Sequence, residues 1–374
     1  RPELGSRHAA SSFCAPAMTG RWFAVTRARR RARLHGPTWI LRSTLAGKVL
    51  ATARRNVGLV GRWRASRRRA RAEATPSYSQ AGERRTYRAV FLVLAGPGEG
   101  ERVADLIASI HHYEGADVKI LIVDDATEDC RAGVLQAQFP DVDVLRTSWP
   151  IGGIHRQFPQ MARALRELPE RYDFRVLAKV DSDALVTGPG LTQAAEAVFA
   201  SHPRTGLLGT TVSYPDGTPR RGMFAFEAWM IAHSRRWSRR VRRLFDAAAD
   251  AREGPYVRVQ GGVYLVSRAA LETAAQRGLL RWRQPWWSRM GEDVIMSAVV
   301  EAAGFAQGSW GGPGEPIASA QNVLPLALAD IVAQRRLAVH SVRRGLHGES
   351  EEHVRAFFAA RRTTPTSPGM RTMH

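Results

Sequence analysis

The chain has 374 residues, an ordinary apolar fraction of 44% and a formal net charge of +21. That is enough for one large α/β domain with extensions, or for roughly two or three smaller domains, with a sizeable core. Two cysteines far apart, Cys14 and Cys130, exclude a disulfide framework and zinc-ligand spacing and fit a reducing compartment, while no apolar run is long enough to span a bilayer.

The charge is unevenly placed. Residues 1–88 carry 21 Lys/Arg against three Asp/Glu, leaving 34 basic and 31 acidic residues for the remainder. The arm has no continuous apolar stretch of the kind a secretory signal needs, and Met18 is a candidate initiator. From Trp39 to Trp63, apolar residues (Ile40, Leu41, Leu45, Val49, Leu50, Val57, Val60) recur at helical spacing between arginines, and RASRRRARAEA then gives way to the polar TPSYSQAGE. The pattern predicts a basic amphipathic helix and a linker, suited to an anionic membrane surface; a solvated, disordered tail fits the composition equally well. Nucleic acid is a less favoured partner, because no nucleic-acid-binding motif accompanies the charge.

Beyond the linker, strands and helices alternate. AVFLVLA (89–95) reads as a buried strand, ERVADLIASIHHY (101–113) as an amphipathic helix and VKILIVDD (118–125) as a second strand ending in Asp124 and Asp125. A helix over 129–138, a short strand VDVLR and a helix over 154–168 follow, then the strand FRVLAKVDSDALV (174–186) and a helix over 190–200. This order predicts a largely parallel sheet covered on both faces, with ligands at the carboxyl ends of its strands. A basic helix is expected over 223–244, a strand entering a helix over 259–275, a Trp-rich loop leading into a helix near Gly291, and a short strand ending at His340.

The strongest local signal is Asp181-Ser182-Asp183. Two carboxylates one residue apart at the end of a buried strand can present oxygens to a divalent cation, which can also hold a diphosphate; an isolated DxD is as readily an Asx-type surface turn. Asp124 and Asp125 suit contact with a nucleoside, or the capping of the next helix. Glu292 and Asp293 open a helix, where acids are favoured electrostatically and where a general base could sit. His340 is a further metal-ligand candidate if the chain returns beside Asp183. Trp282, Trp286 and Trp287 offer aromatic faces to a sugar or to the core. AGPGEGER (95–102) has the look of a glycine-rich phosphate loop but is not a Walker A motif.

Taken in order, AVFLVLAGPGEGERVADLIASI with VKILIVDDATED, then KVDSDALV, VQGGVYLVSRAAL and GEDVIM resemble the nucleotide-sugar glycosyltransferases of the A-type fold, above all family 2. There is a further likeness to the galactosyltransferase and Fringe group. The resemblance covers roughly residues 88–345. It implies a mostly parallel central sheet with helices on both faces, and a metal-dependent, inverting transfer from a nucleoside-diphosphate sugar, UDP-sugars favoured, to a hydroxyl of a glycan or other acceptor. It further implies Asp124 and Asp125 on the donor nucleoside, and Asp183 with Asp181 holding Mn²⁺ or Mg²⁺ and the diphosphate. Asp293, with Glu292 beside it, would be the base, and His340 a third metal or phosphate contact. Arg156 would reach the diphosphate, where PIGGIHRQFPQMARAL departs from the family's pattern. Gly261, Gly262, Trp286 and Trp287 would lie on the acceptor side. The expected division is an arm over 1–87, a catalytic domain over 88–345 (donor half 88–190, acceptor half 191–345) and a C-terminal helix with a disordered tail over 346–374. The expected location is cytoplasmic, on the inner membrane face. A sugar nucleotidylyltransferase, suggested by LAGPGEGER, and a catalytically silent carbohydrate-binding or scaffold protein are the alternative readings.

Overall fold

The computed structural model describes residues 85–125, 131–146, 157–220, 239–281 and 290–363. Residues 1–84 of the arm, Arg156, Trp282, Trp286, Trp287 and the tail after 363 lie outside these.

The apolar runs form the strands the alternation predicts. β1 (Thr86–Ala95) is followed by helix α1 (Gly100–Glu114), β2 (Val118–Asp124), α2 (Arg131–Gln138), β3 (Asp143–Arg146), α3 (Gln157–Arg171) and β4 (Asp173–Asp181). After β5 (Ala184–Val186) come α4 (Leu191–Ser201), β6 (Thr205–Gly209), α5 (Arg239–Ala251), β7 (Val263–Ser267), α6 (Arg268–Gln276) and α7 (Glu292–Ala302). β8 (Ala306–Ser309), β9 (Ile317–Ser319), α8 (Leu328–Ala333), β10 (Ala338–His340) and α9 (Glu351–Thr363) complete the order.

Seven strands form a sheet in the order β3-β2-β1-β4-β7-β6-β8. Only β7 runs against its neighbours, while β3, β2, β1 and β4 are parallel. Strand order reverses between β1 and β4: the chain steps outward from β1 to β3, then returns to β1's other side. Such a reversal opens a crevice beyond the carboxyl ends. Ala95 lies opposite Asp124 and Leu94 opposite Asp181, so VDD and DSD end at the same edge, as expected.

Apolar side chains pack on both faces, one layer including Leu92, Leu165 and Val299, the other Phe91, Ile107 and Val180. α1 buries Val103, Leu106, Ile107 and Ile110, the stripe that helical spacing places on one side. α7 is buried along nearly its whole length, as its VIMSAVV run requires.

One expectation is corrected. The run 174–186 is two strands, because its residues pair in different sheets: β4 with β1 and β7, and β5 with β10 in a three-stranded sheet β5-β10-β9. Ser182 and Asp183 form the turn between them. Of the helix expected over 223–244, positions 223–238 lie outside the described residues; from 239 the chain is helical, as expected, and runs on to Ala251 through alanines of high helix propensity. No described helix is long and apolar enough to cross a membrane.

One buried acid ties the first helix to the fourth. Glu114, 5% exposed, accepts from the Leu191 amide at 2.8 Å and the Thr192 amide at 3.3 Å, supplying the cap that α4 lacks at Gly190. Glu114→Ala leaves buried donors unpaired and is expected to lower stability by about 2–4 kcal/mol in urea denaturation; a loss below about 1 kcal/mol would contradict that role.

Candidate functional site

The acidic turn is built by two sheets. β5 starts immediately after Asp183, and its antiparallel pairing with β10 sets His340 opposite Ala184. The chain thus returns beside Asp183, the condition on which His340 depended. The His340 Nε2 lies 3.3 Å from Asp183 Oδ1, and its Nδ1 is 3.3 Å from Ser319 Oγ on β9. Asp181, Asp183 and His340 each offer one ligand atom, all within 4.8 Å of one another. Two carboxylates and an imidazole suit a divalent ion such as Mn²⁺, and Mg²⁺ through the oxygens.

A glycine makes room for that imidazole. Gly262 has φ of +99°, and a Cβ there would lie 2.3 Å from His340 Cγ. The same residue's carbonyl accepts from the Asp181 amide at 2.8 Å. Gly261 supports the other carboxylate: its amide donates to Asp293 Oδ2 at 3.0 Å. The structure therefore places both glycines between the acidic turn and the start of α7.

Asp293 is held by three donors. Besides Gly261, Arg258 Nη1 donates to Oδ2 at 2.6 Å and the Val294 amide to Oδ1 at 2.8 Å. Arg258 is itself buried, beside Arg220, which is 1% exposed and donates to the carbonyls of Thr210, Thr211 and Arg258. Burial, then the neighbouring Arg258, pulls the Arg220 guanidinium below its ordinary value.

Glu292 turns away from this group and into the protein. It is 4% exposed, and Oε1 accepts from Lys179 Nζ at 2.8 Å. Lys179, fully buried, also donates to Asp181 Oδ1 at 2.5 Å and lies 5.4 Å from the centre of the Tyr264 ring. Burial works against the ammonium, but Asp181 and Glu292 outweigh it and hold Lys179 well above its ordinary value. Burial pushes the Glu292 carboxyl up, against the pull of Lys179. Lys179 was in plain view in KVDSDALV: a lysine inside a buried strand needs a carboxylate partner.

Asp183 is surrounded differently. Burial raises its carboxyl, but His340, Ser341 and Arg343 outweigh that and hold it well below the usual carboxylate range. Ser341 Oγ and Arg343 Nε both donate to Oδ2, at 2.8 and 2.6 Å. The stabilisation from these contacts is present above the ordinary carboxylate pKa and is lost as pH falls through the lowered one. Arg355 of α9 donates to the Ser182 carbonyl at 3.0 Å and pairs with Asp105 of α1 at 2.8 Å. Arg102 and Glu351 pair at 2.6 Å between the same two helices. A helix outside the expected 88–345 domain thus holds the peptide between the two aspartates.

On the other side of the crevice, Asp124 is 1% exposed and accepts from Arg146 at 3.1 Å; Asp125 is 7% exposed, its amide bonded to the Ala95 carbonyl at 3.1 Å. The glycine-rich AGPGEGER is not laid out for phosphate, because Glu99 Oε2 already accepts from the Gly96 amide at 2.8 Å and brings negative charge to the start of α1.

No protein-family model and no curated protein matches the chain. Among solved structures, it is similar to the mannosyltransferase PcManGT from Pyrobaculum calidifontis in complex with GDP-Man and Mn²⁺. The two are 18% identical with a TM-score of 0.37, over 70% of this chain and 64% of that one. It is also similar to S. aureus TarS in complex with UDP, at 17% identity and a TM-score of 0.27, over 33% of this chain and 35% of that one. The TarS complex with UDP-GlcNAc gives 16% identity and the same TM-score. The strand order and the placement of VDD and DSD at one sheet edge agree with the mostly parallel α/β architecture expected from the sequence. The chemistry rests on the side chains themselves.

Lys179→Met strands two acids around an apolar side chain and is expected to cost about 3–5 kcal/mol in urea denaturation. Adding Glu292→Leu should recover part of that loss. A single-variant loss under about 1 kcal/mol would show that the buried ammonium does not bridge them.

Proposed function

We propose that the chain is a metal-dependent glycosyltransferase, moving a sugar from a nucleoside-diphosphate sugar to a hydroxyl with inversion at the anomeric carbon. The observation that carries this reading is the meeting of four distant segments in one hydrogen-bonded group at the sheet's reversal point: Asp181-Asp183, Gly261-Gly262, Glu292-Asp293 and His340.

Asp181, Asp183 and His340 would hold Mn²⁺ or Mg²⁺, which when bound offsets the charge developing on the departing diphosphate. Asp293 is assigned as the general base. Oδ2 is fixed by Arg258 and Gly261, and Oδ1, with one backbone donor, keeps a lone pair for the acceptor's proton. Glu292, enclosed with Lys179, is assigned to positioning: it joins the start of α7 to Asp181 and takes no proton from substrate. Asp124 and Asp125, which end at the same sheet edge as the acidic turn, are assigned to the donor nucleoside. Gly261 and Gly262 act behind the acceptor site, shaping it through Asp293 and His340. Arg156, Trp286 and Trp287 keep their proposed roles on the diphosphate and acceptor. Polysaccharide biosynthesis is the setting in which a glycan acceptor places the reaction.

Transfer is tested with UDP-, GDP- and dTDP-sugars and Mn²⁺, after thermal shift has ranked the donors. Asp293→Ala should lower kcat by about 10²–10⁴-fold with Mn²⁺ uptake intact, and Asp183→Ala should remove Mn²⁺ uptake and transfer together. Full activity in both variants would end this reading, and pyrophosphate release from a sugar 1-phosphate and a nucleoside triphosphate would replace it with nucleotidylyl transfer.

The basic arm is proposed to dock the protein on the cytoplasmic membrane face, its arginines meeting anionic headgroups. Deletion of residues 1–80 should release the protein from anionic vesicles in co-sedimentation; unchanged binding would refute the docking role.

A further inference from the structure

The two acidic ligands each have their own cation, and the two cations differ in freedom. Lys179, beside Asp181, is fully enclosed by protein. Arg343, beside Asp183, has a side chain 53% exposed although the carboxylate it grips is only 5% exposed. Its Nε donates to Asp183 Oδ2, leaving Oδ1 facing His340. Lys179 has no route to water, whereas Arg343 has an exposed head that can turn into solvent, leaving Asp183 with Ser341 and His340 until another cation takes its place.

The segment carrying Arg343 also borders an open cleft. A space of about 580 Å³ is lined by Asn322, Val323, Arg344, Leu346, His347 and Gly348, directly after Arg343 in the chain. Arg344 brings a positive charge to that lining.

We propose that Arg343 is a counter-cation that neutralises Asp183 when the site is empty and transfers to the diphosphate of a bound nucleotide. The inference rests on the metal-site reading above. A divalent ion arriving at Asp183 meets a guanidinium of like charge, which weakens uptake of the ion alone. A diphosphate bound with the ion offers that guanidinium a better partner, since a planar fork matches phosphate oxygens in pairs. Arg343 therefore opposes the metal alone and favours the metal together with the nucleotide, coupling the two binding events. No bond is made or broken; one ion pair is exchanged for another.

The test is calorimetric titration of the full chain and its Arg343→Ala and Arg343→Lys variants, first with Mn²⁺ alone, then with UDP and with GDP at saturating Mn²⁺. Arg343→Ala should bind Mn²⁺ about three- to tenfold more tightly and the better-binding nucleoside diphosphate about tenfold more weakly. Arg343→Lys should restore part of both. Unchanged affinities, or a fall in both together, would overturn the exchange and leave Arg343 as a support for the turn. No Mn²⁺ uptake by the wild-type chain with UDP or GDP present, and none by Arg343→Ala alone, would overturn the metal-site reading as well, so the two failures are told apart.

Discussion

A fully buried ammonium is tolerated only where carboxylates surround it, and the crevice is organised around that constraint. Lys179 sits inside the central strand with Asp181 on one side and Glu292 on the other. Removing any one of the three leaves charge in a low-dielectric interior. The requirement joins β4 to the start of α7 across 113 positions of sequence. It also fixes which acid of the Glu292-Asp293 pair faces inward, so Asp293 is the one left toward Gly261 and Arg258.

The second constraint is steric. His340 reaches Asp183 because β5 and β10 pair in one register, and its ring fits because Gly262 has no side chain. Its left-handed backbone would strain any other residue as well. One glycine therefore serves the acidic turn twice, giving the ring its space and bonding the Asp181 amide through its carbonyl.

Much of this was legible in the residues. An apolar run that ends in acids reads as a strand reaching a ligand edge, and so VDD and DSD could be placed before any coordinates. GEDV read correctly as a helix start because acids suit a first turn. The split of 174–186 was not legible, since one apolar run gives no sign of which half pairs in which sheet. Nor was the division of labour within Glu292-Asp293, which depends on a lysine paired across the fold. Arg258, Arg343 and Arg355 were lost among many arginines, because their roles depend on long side chains meeting partners far away in sequence. The glycine pair was visible, but the reason for it was a ring delivered by a strand far downstream.

Arg355's hold on the Ser182 carbonyl crosses 173 positions of sequence, and this has a meaning for synthesis. A chain emerging from the ribosome can pair β1, β2 and β4 long before α9 exists. Its acidic turn gains His340 only with β10, and the clasp from Arg355 later still. The sheet is early and the Asp181-Asp183-His340 geometry is late, so a nascent chain carries the aspartates without the means to hold them in place. The ordering of the acidic turn thus waits on segments made long after the turn itself.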